Sequence, residues 1–252
     1  MRPHQQRVVD EKAELDKKAT ALSQFIGNSS AFLTLVPAEQ EQLWVQNDVV
    51  WQYSGVLGAH RSVLQGVRMG YLRCMLDLET YGTRPGCGIL SIGAVFFSST
   101  HKEWKGPSFY QAVNRASCEE AGLFEQEDTM AWWAKQGSSA RQVWQEIETA
   151  PPLAEVLSNF STWLRENTLD TTKTQVWGNG ADFDNPILSA CYSAVARGQP
   201  WGPYNGRCYR TLKALAPDVK LRRTGTHHNA LDDAVSQAEH AVRILQSLKG
   251  AA

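Results

Sequence analysis

The spacing of apolar residues changes near residue 70, and that change limits what the chain can fold into. Before it, apolar positions recur at helical intervals. Arg7 to Phe25 carries Val9, Leu15, Leu22 and Phe25 with charges between them; Gly27-Asn28-Ser29-Ser30 interrupts. Pro37 and Glu39 open a second stretch to about Gly66 that contains Leu43, Val50, Tyr53 and Leu57. Two amphipathic helices with a short link predict an α-helical hairpin over residues 1–68. So small a hairpin cannot bury both faces alone, so it is expected to pack on the second domain or on further copies of itself, as a homo-oligomer.

Beyond residue 70 the pattern turns to period two and to continuous apolar runs. It predicts strands over Tyr71–Leu78, Gly88–Phe97, Ser108–Val113 and Thr174–Gly178. Helices are predicted over Thr129–Gln136, Ala140–Glu148, Pro152–Asn167, Asn185–Arg197, Arg210–Ala216 and Asn229–Leu248. Strands first and helices after give an α/β domain of three layers over residues 69–252. Met69 stands where an internal start would yield that domain alone.

Composition excludes some classes of function. The net charge of −1 means that nucleic-acid affinity has to come from a local patch. No apolar run approaches the ~18 residues of a membrane helix, which argues against a membrane partner. Met1 to Asp16 is polar with both charge signs, unlike a secretory signal. The five cysteines are odd in number and form no Cys-x-x-Cys pair, as in a reduced, cytoplasmic protein without structural zinc.

Three short motifs carry the chemistry. Asp77-Leu78-Glu79 follows an apolar run, and side chains alternate along a strand, so both carboxylates share a face. They repel unless a cation lies between them, and hard divalent ions take such oxygen ligands. Asp184 follows Trp177-Gly178-Asn179-Gly180-Ala181-Asp182-Phe183, a strand and glycine-rich turn ahead of a helix. Phe183 is the expected core anchor there, which favours Asp184 over Asp182 as the functional carboxylate. His228 precedes Asp233 by five residues, ahead of and within the last helix. A histidine can take a proton from water near neutral pH, and Asp233 would complete a metal cage. His227 and Asp232 have the wrong spacing and are read as exposed or supporting neighbours.

Asp77, Glu79, Asp184, His228 and Asp233 together resemble the DEDDh exonucleases, a superfamily with an RNase H-like fold. Thr129-Met130-Ala131-Trp132-Trp133, Val176-Trp177-Gly178-Asn179-Gly180 and Cys208-Tyr209-Arg210-Thr211-Leu212 are most similar to the bacterial and phage exoribonuclease/exonuclease VIII-like branch. The likeness spans about residues 71–247. It implies an RNase H-like domain with a mixed central β-sheet that removes nucleotides from the 3′ ends of single-stranded RNA or DNA as 5′-monophosphates. It also implies two divalent metal ions, Mg²⁺ or Mn²⁺, ~3.5–4 Å apart on the four carboxylates, with His228 as the base. Arg7 to Asp16 and Gln52 to Leu57 are similar to the hairpin of phage proteins that sequester cyclic nucleotides against bacterial CBASS defence. That likeness implies a phage origin, a host-cytoplasm location, and either assembly or cyclic-nucleotide capture by the hairpin.

Substrate contacts are expected from aromatic and basic residues. Trp132 and Trp133 point ~100° apart on a helix, so either one stacks on a terminal base or both are core. Arg207, Arg210, Lys213, Lys220, Arg222 and Arg223 form a basic stretch leading to His228, with Asp218 the one acid in it. The four arginines are candidate phosphate contacts, and Gly225 is a candidate pivot for that loop. Asn179 and Asn185 either bond sugar or phosphate, or close the turn.

Overall fold

The computed structural model describes residues 49–53, 67–101, 103–226 and 228–250. Residues Asp48–Gln52 and Arg68–Ala252 form one compact unit. Strands β1 (Val49–Tyr53) and β2 (Val67–Tyr71) pair in a small sheet. The expected hairpin otherwise lies outside the described residues. Within it, Val49–Tyr53 is a strand where a helix was expected. The helical spacing of Val50 and Tyr53 loses there to composition: Val-Val-Trp-Gln-Tyr is β-branched and aromatic, types whose χ1 restriction favours extended backbone.

The main sheet has five strands: β3 (Arg73–Thr80), β4 (Ile89–Phe97), β5 (Lys105–Ala112), β6 (Gln175–Gly178) and β7 (Gly206–Cys208). Their order is β5-β4-β3-β6-β7. The β3–β4 and β4–β5 pairs are antiparallel, while β3–β6 and β6–β7 are parallel. The sheet is therefore mixed, and β3 sits at its centre. All nine residues of β4 are buried, as expected of a strand covered on both faces.

Helices complete two outer layers: α1 (Arg115–Glu120), α2 (Glu127–Trp133), α3 (Ser138–Thr149), α4 (Leu153–Asn167), α5 (Asp184–Ala194), α6 (Tyr209–Leu215) and α7 (Ala230–Gly250). Period two along β3 and β4 divides the core. Cys74, Leu76 and Leu78, with Ile92, Ala94 and Phe96, pack against Leu157 and Phe160 of α4 and Ile187 and Leu188 of α5. Met75, Val95 and Phe97 face the other way, onto Ala234, Ala238 and Ala241 of α7 and Tyr209 of α6. Asp77 and Glu79 continue the Met75 series, so they belong to the α7 face.

The alanines of α7 let the helix lie close to the sheet. Gly93 lets it come closer still. This residue pairs with Asp77 across the β3–β4 ladder, and a Cβ on it would run into the backbone of Ala230 and Leu231. The start of α7 thus rests directly over the strand register that holds Asp77.

Strand β3 runs to Thr80, two residues past its expected end, with an irregular register between Glu79 and Thr80. Short elements without a pattern of their own, α1 and β7, were not expected. β7 has only three residues and is held by the parallel neighbour β6 rather than by its own composition.

Candidate active site

Glu79 on β3, His228 ahead of α7 and Asp233 in its first turn bring their ligand atoms within 4.8 Å of one another. With Asp77, Trp132, Trp133, Asn179, Arg223 and Gln237 they line a cavity of about 490 Å³. Segments some 150 residues apart in sequence therefore meet at one end of the central strand. Asp184, the first residue of α5, is buried at the edge of this group. Its Oδ1 accepts from the Leu78 amide at 3.1 Å, and its Oδ2 from the Asn179 amide at 2.6 Å. Phe183 packs against the core as the anchor, and Asp182 is exposed.

The electrostatics follow from crowding four carboxylates. Burial raises the Asp77 carboxyl well above its ordinary range, and repulsion from Asp184, Glu79 and Asp233 raises it further; a hydrogen bond from Gln237 opposes both. Glu79 is pushed up to about 8 by burial and by the charges of Asp233 and Asp184. Asp184 rises only to about 6, since its backbone donors and Arg210 offset much of its burial. Several carboxyls raised together in one cleft mark a candidate functional site. An oxygen-rich set of this kind suits a hard divalent cation, which would remove the mutual repulsion.

His228 is held from several sides. Its backbone lies in the left-handed region at φ 61°, and its amide donates to Asp233 Oδ2 at 3.3 Å. The ring meets Trp132 edge-on at 5.0 Å between centroids and Trp133 at 6.1 Å. The preceding loop is tied to α7: the Thr224 amide donates to Ser236 Oγ at 3.0 Å and the Thr226 amide to Asp232 at 2.7 Å. Gly225, at φ +78°, lets the loop turn tightly against the Asp232 carboxyl. Asp232 thus secures the loop, and His227 lies outside the described residues.

The tryptophans divide the two roles considered for them. Trp133 is buried, and its Nε1 donates to the Thr80 carbonyl at 2.9 Å, whereas Trp132 is 42% exposed on the cavity wall. Arg223 pairs with Asp233 at the rim, and Arg210 donates to the Asn179 carbonyl at 2.7 Å. Three expected substrate residues lie elsewhere. Asn185 turns inward, its Nδ2 donating to the Val176 carbonyl at 2.8 Å, so it closes the turn. Together with Arg207 it lines a separate cavity of about 330 Å³. Arg222 is exposed and lines neither cavity. Gln237, outside the set expected from the sequence, donates its Nε2 to Asp77 Oδ1 at 2.7 Å. The signal that could have found it is its spacing, four residues after Asp233 and hence on the same helix face.

A sequence model of the 3'-5' exoribonuclease Rv2179c-like domain matches residues 72–245. A second, named Sequestin, matches residues 2–59. No curated protein matches the chain. Among solved structures, the nuclease domain of 3'hExo, a DEDDh family member bound to rAMP, aligns at 18% identity over 69% of this chain and 92% of its own, with a TM-score of 0.50. A full-length 3'-exonuclease aligns at 16% identity over 69% of this chain and 81% of its own, also at 0.50. At such identities the likeness is one of fold, and the domain has the RNase H-like architecture of those nucleases.

Proposed function

The chain belongs to the 3'-5' exoribonuclease Rv2179c-like domain family, so it is a 3′-exonuclease, and we propose that it trims single-stranded RNA or DNA to nucleoside 5′-monophosphates. The observation that carries this reading is the meeting of Asp77, Glu79, His228 and Asp233 in one cavity beside an exposed tryptophan. Asp77, Glu79, Asp184 and Asp233 are the residues that would hold two divalent ions, Mg²⁺ or Mn²⁺. Bound there, the ions would supply Lewis-acid activation of water and charge stabilisation at the leaving 3′ oxygen.

The chain's own residues do the rest. His228 takes the proton of the attacking water, its ring oriented by the two tryptophans. Attack at phosphorus breaks the bond to the 3′ oxygen, which takes a proton from solvent and leaves as a hydroxyl on the shortened strand. Trp132 stacks on the terminal base, an interaction worth ~1–3 kcal/mol that does not depend on sequence. Arg210 and Arg223 meet the backbone phosphates, and Asn179 orients the end of β6 against Asp184.

The test is a gel assay of purified protein with Mn²⁺ on matched 5′-labelled single-stranded RNA and DNA, with EDTA as control. A ladder shortening from the 3′ end and abolished by EDTA is expected, and the strand that shortens faster names the sugar preference. Folded protein that leaves both strands intact would refute the reading.

A second activity is favoured by the Sequestin match over residues 2–59. On this reading the matched residues belong to a module of phage origin that captures cyclic nucleotides or assembles copies of the chain in the host cytoplasm. Calorimetry of the full chain with cyclic dinucleotides tests it: micromolar binding is expected, and no heat would remove capture and leave assembly.

A further inference from the structure

Gln237 stands out because the reaction described above gives it no part, yet it sits among the carboxylates. It is 6% exposed and lines the catalytic cavity. Its Nε2 donates to Asp77 Oδ1 at 2.7 Å, while its Oε1 is buried without a hydrogen-bond partner. With a cation bound, the Asp77 carboxylate can only accept, which fixes the amide with its nitrogen toward Asp77. A buried acceptor without a donor destabilises a fold, and such atoms call for an explanation beyond packing.

The neighbours rule out a packing explanation. Ala230, Ala234, Ala238 and Ala241 of α7 are fully buried and small, and the same helix buries Val242 and Ile244. An apolar residue at 237 would extend that surface without an orphaned oxygen. The chemistry of the alternatives also narrows the choice. A lysine or arginine at 237 would donate to Asp77 and also neutralise it, in competition with a cation. A glutamate would add a fifth carboxyl to a group that already crowds four around one cavity. Glutamine is long enough to reach from α7, carries a donor, and brings no charge.

We infer that Gln237 is a positioning residue of the metal site: it holds one oxygen of Asp77 and leaves the other turned to the cation. This rests on the metal reading given above. Groups that orient a ligand in this way commonly change metal affinity ~10–100-fold when removed. The inference separates two quantities that a purely structural residue would move together. Removing the amide should relieve the orphaned oxygen and at the same time loosen the cation.

The test uses the full chain, with Gln237→Met, close in volume, and Gln237→Ala. Calorimetric titration with Mn²⁺ is paired with thermal melting in EDTA. For Gln237→Met the expected result is Mn²⁺ affinity weaker by ~10-fold or more, with a melting temperature in EDTA equal to or above that of the parent. Its loss of cleavage rate should be largely restored by raising Mn²⁺, with little change in KM for the strand. Gln237→Ala should weaken Mn²⁺ to a similar extent, so that the effect does not depend on the shape of methionine. Parent-like Mn²⁺ affinity in both variants would overturn the inference while leaving the two-ion site standing. A parent protein that takes up no Mn²⁺ would sink the two-ion reading and this inference with it.

Discussion

The two faces of β3 are built from the same strand and the same helix-on-sheet packing, yet only one of them is finished as a core. Toward α4 and α5 the strand offers Cys74, Leu76 and Leu78, all buried, with aromatic side chains such as Phe96, Phe109, Phe160 and Trp163 packed around them. Toward α7 the series begins with Met75 and then changes to Asp77 and Glu79. The contrast shows that the site lies where apolar packing stops. One face holds the sheet together; the other gives up stability so that carboxylates crowd at the end of a rigid strand.

The widest separation between the faces should come from substitution within the site. Asp77→Asn keeps the shape and removes one charge from the group, so cleavage should fall by several orders of magnitude. Circular dichroism and melting in EDTA should stay near the parent. An enzyme that keeps most of its activity after this change would break the division between the faces. The opposite behaviour is expected from Phe160→Ala on the other face. Phe160 is fully buried, so truncation should cost about 3–5 kcal/mol of stability, while kcat per folded molecule and Mn²⁺ affinity remain those of the parent.

The pH dependence of stability sharpens the same point. In EDTA the folded chain holds Glu79 up to about 8 and Asp184 up to about 6, against ~4 for both when unfolded. Between those values the folded state binds more protons, so stability is full at the acid end and is lost as pH rises towards 8. Melting temperature in EDTA should therefore fall from about pH 5 to pH 8, as the folded state loses on the order of a few kcal/mol at most. Saturating Mn²⁺ should flatten the slope. A flat profile in EDTA would mean that the carboxylates are not crowded as described.

A smaller effect is expected at the joint between strand and helix. Gly93→Ala would drive a Cβ into the backbone of Ala230 and Leu231. Overpacking of this kind costs about 1–3 kcal/mol, and because the shifted helix carries Asp233, activity should fall more than stability does. Equal losses in the two would weaken the view that Gly93 sets the spacing of the site.

How far the sequence foretold this arrangement depends on the range of the interaction concerned. The long elements were legible, because Ile89–Phe97 is a continuous apolar run and Ala230–Gly250 carries a helical period. Asp77, Glu79, His228 and Asp233 were legible as types and spacings, and the fold brings them into one cavity. What local pattern could not give was direction. Nothing near Asn185 says that its amide turns inward to Val176, and the spacing of Gln237 from Asp233 gives its helix face but not its partner, a residue 160 positions away. Val49–Tyr53 failed for another reason: two apolar residues at helical spacing were outweighed by the extended preference of their neighbours.

The central claim is that the α7 face of β3 is a divalent-cation site for cutting nucleic-acid ends. The most direct measurement is a crystal structure of the full chain soaked with Mn²⁺ and a nucleoside 5′-monophosphate, with anomalous data collected for manganese. The account predicts two anomalous peaks among Asp77, Glu79, Asp184 and Asp233, with the phosphate beside His228 and the base against Trp132. Manganese found elsewhere, or a nucleotide seated away from these carboxylates, would contradict it.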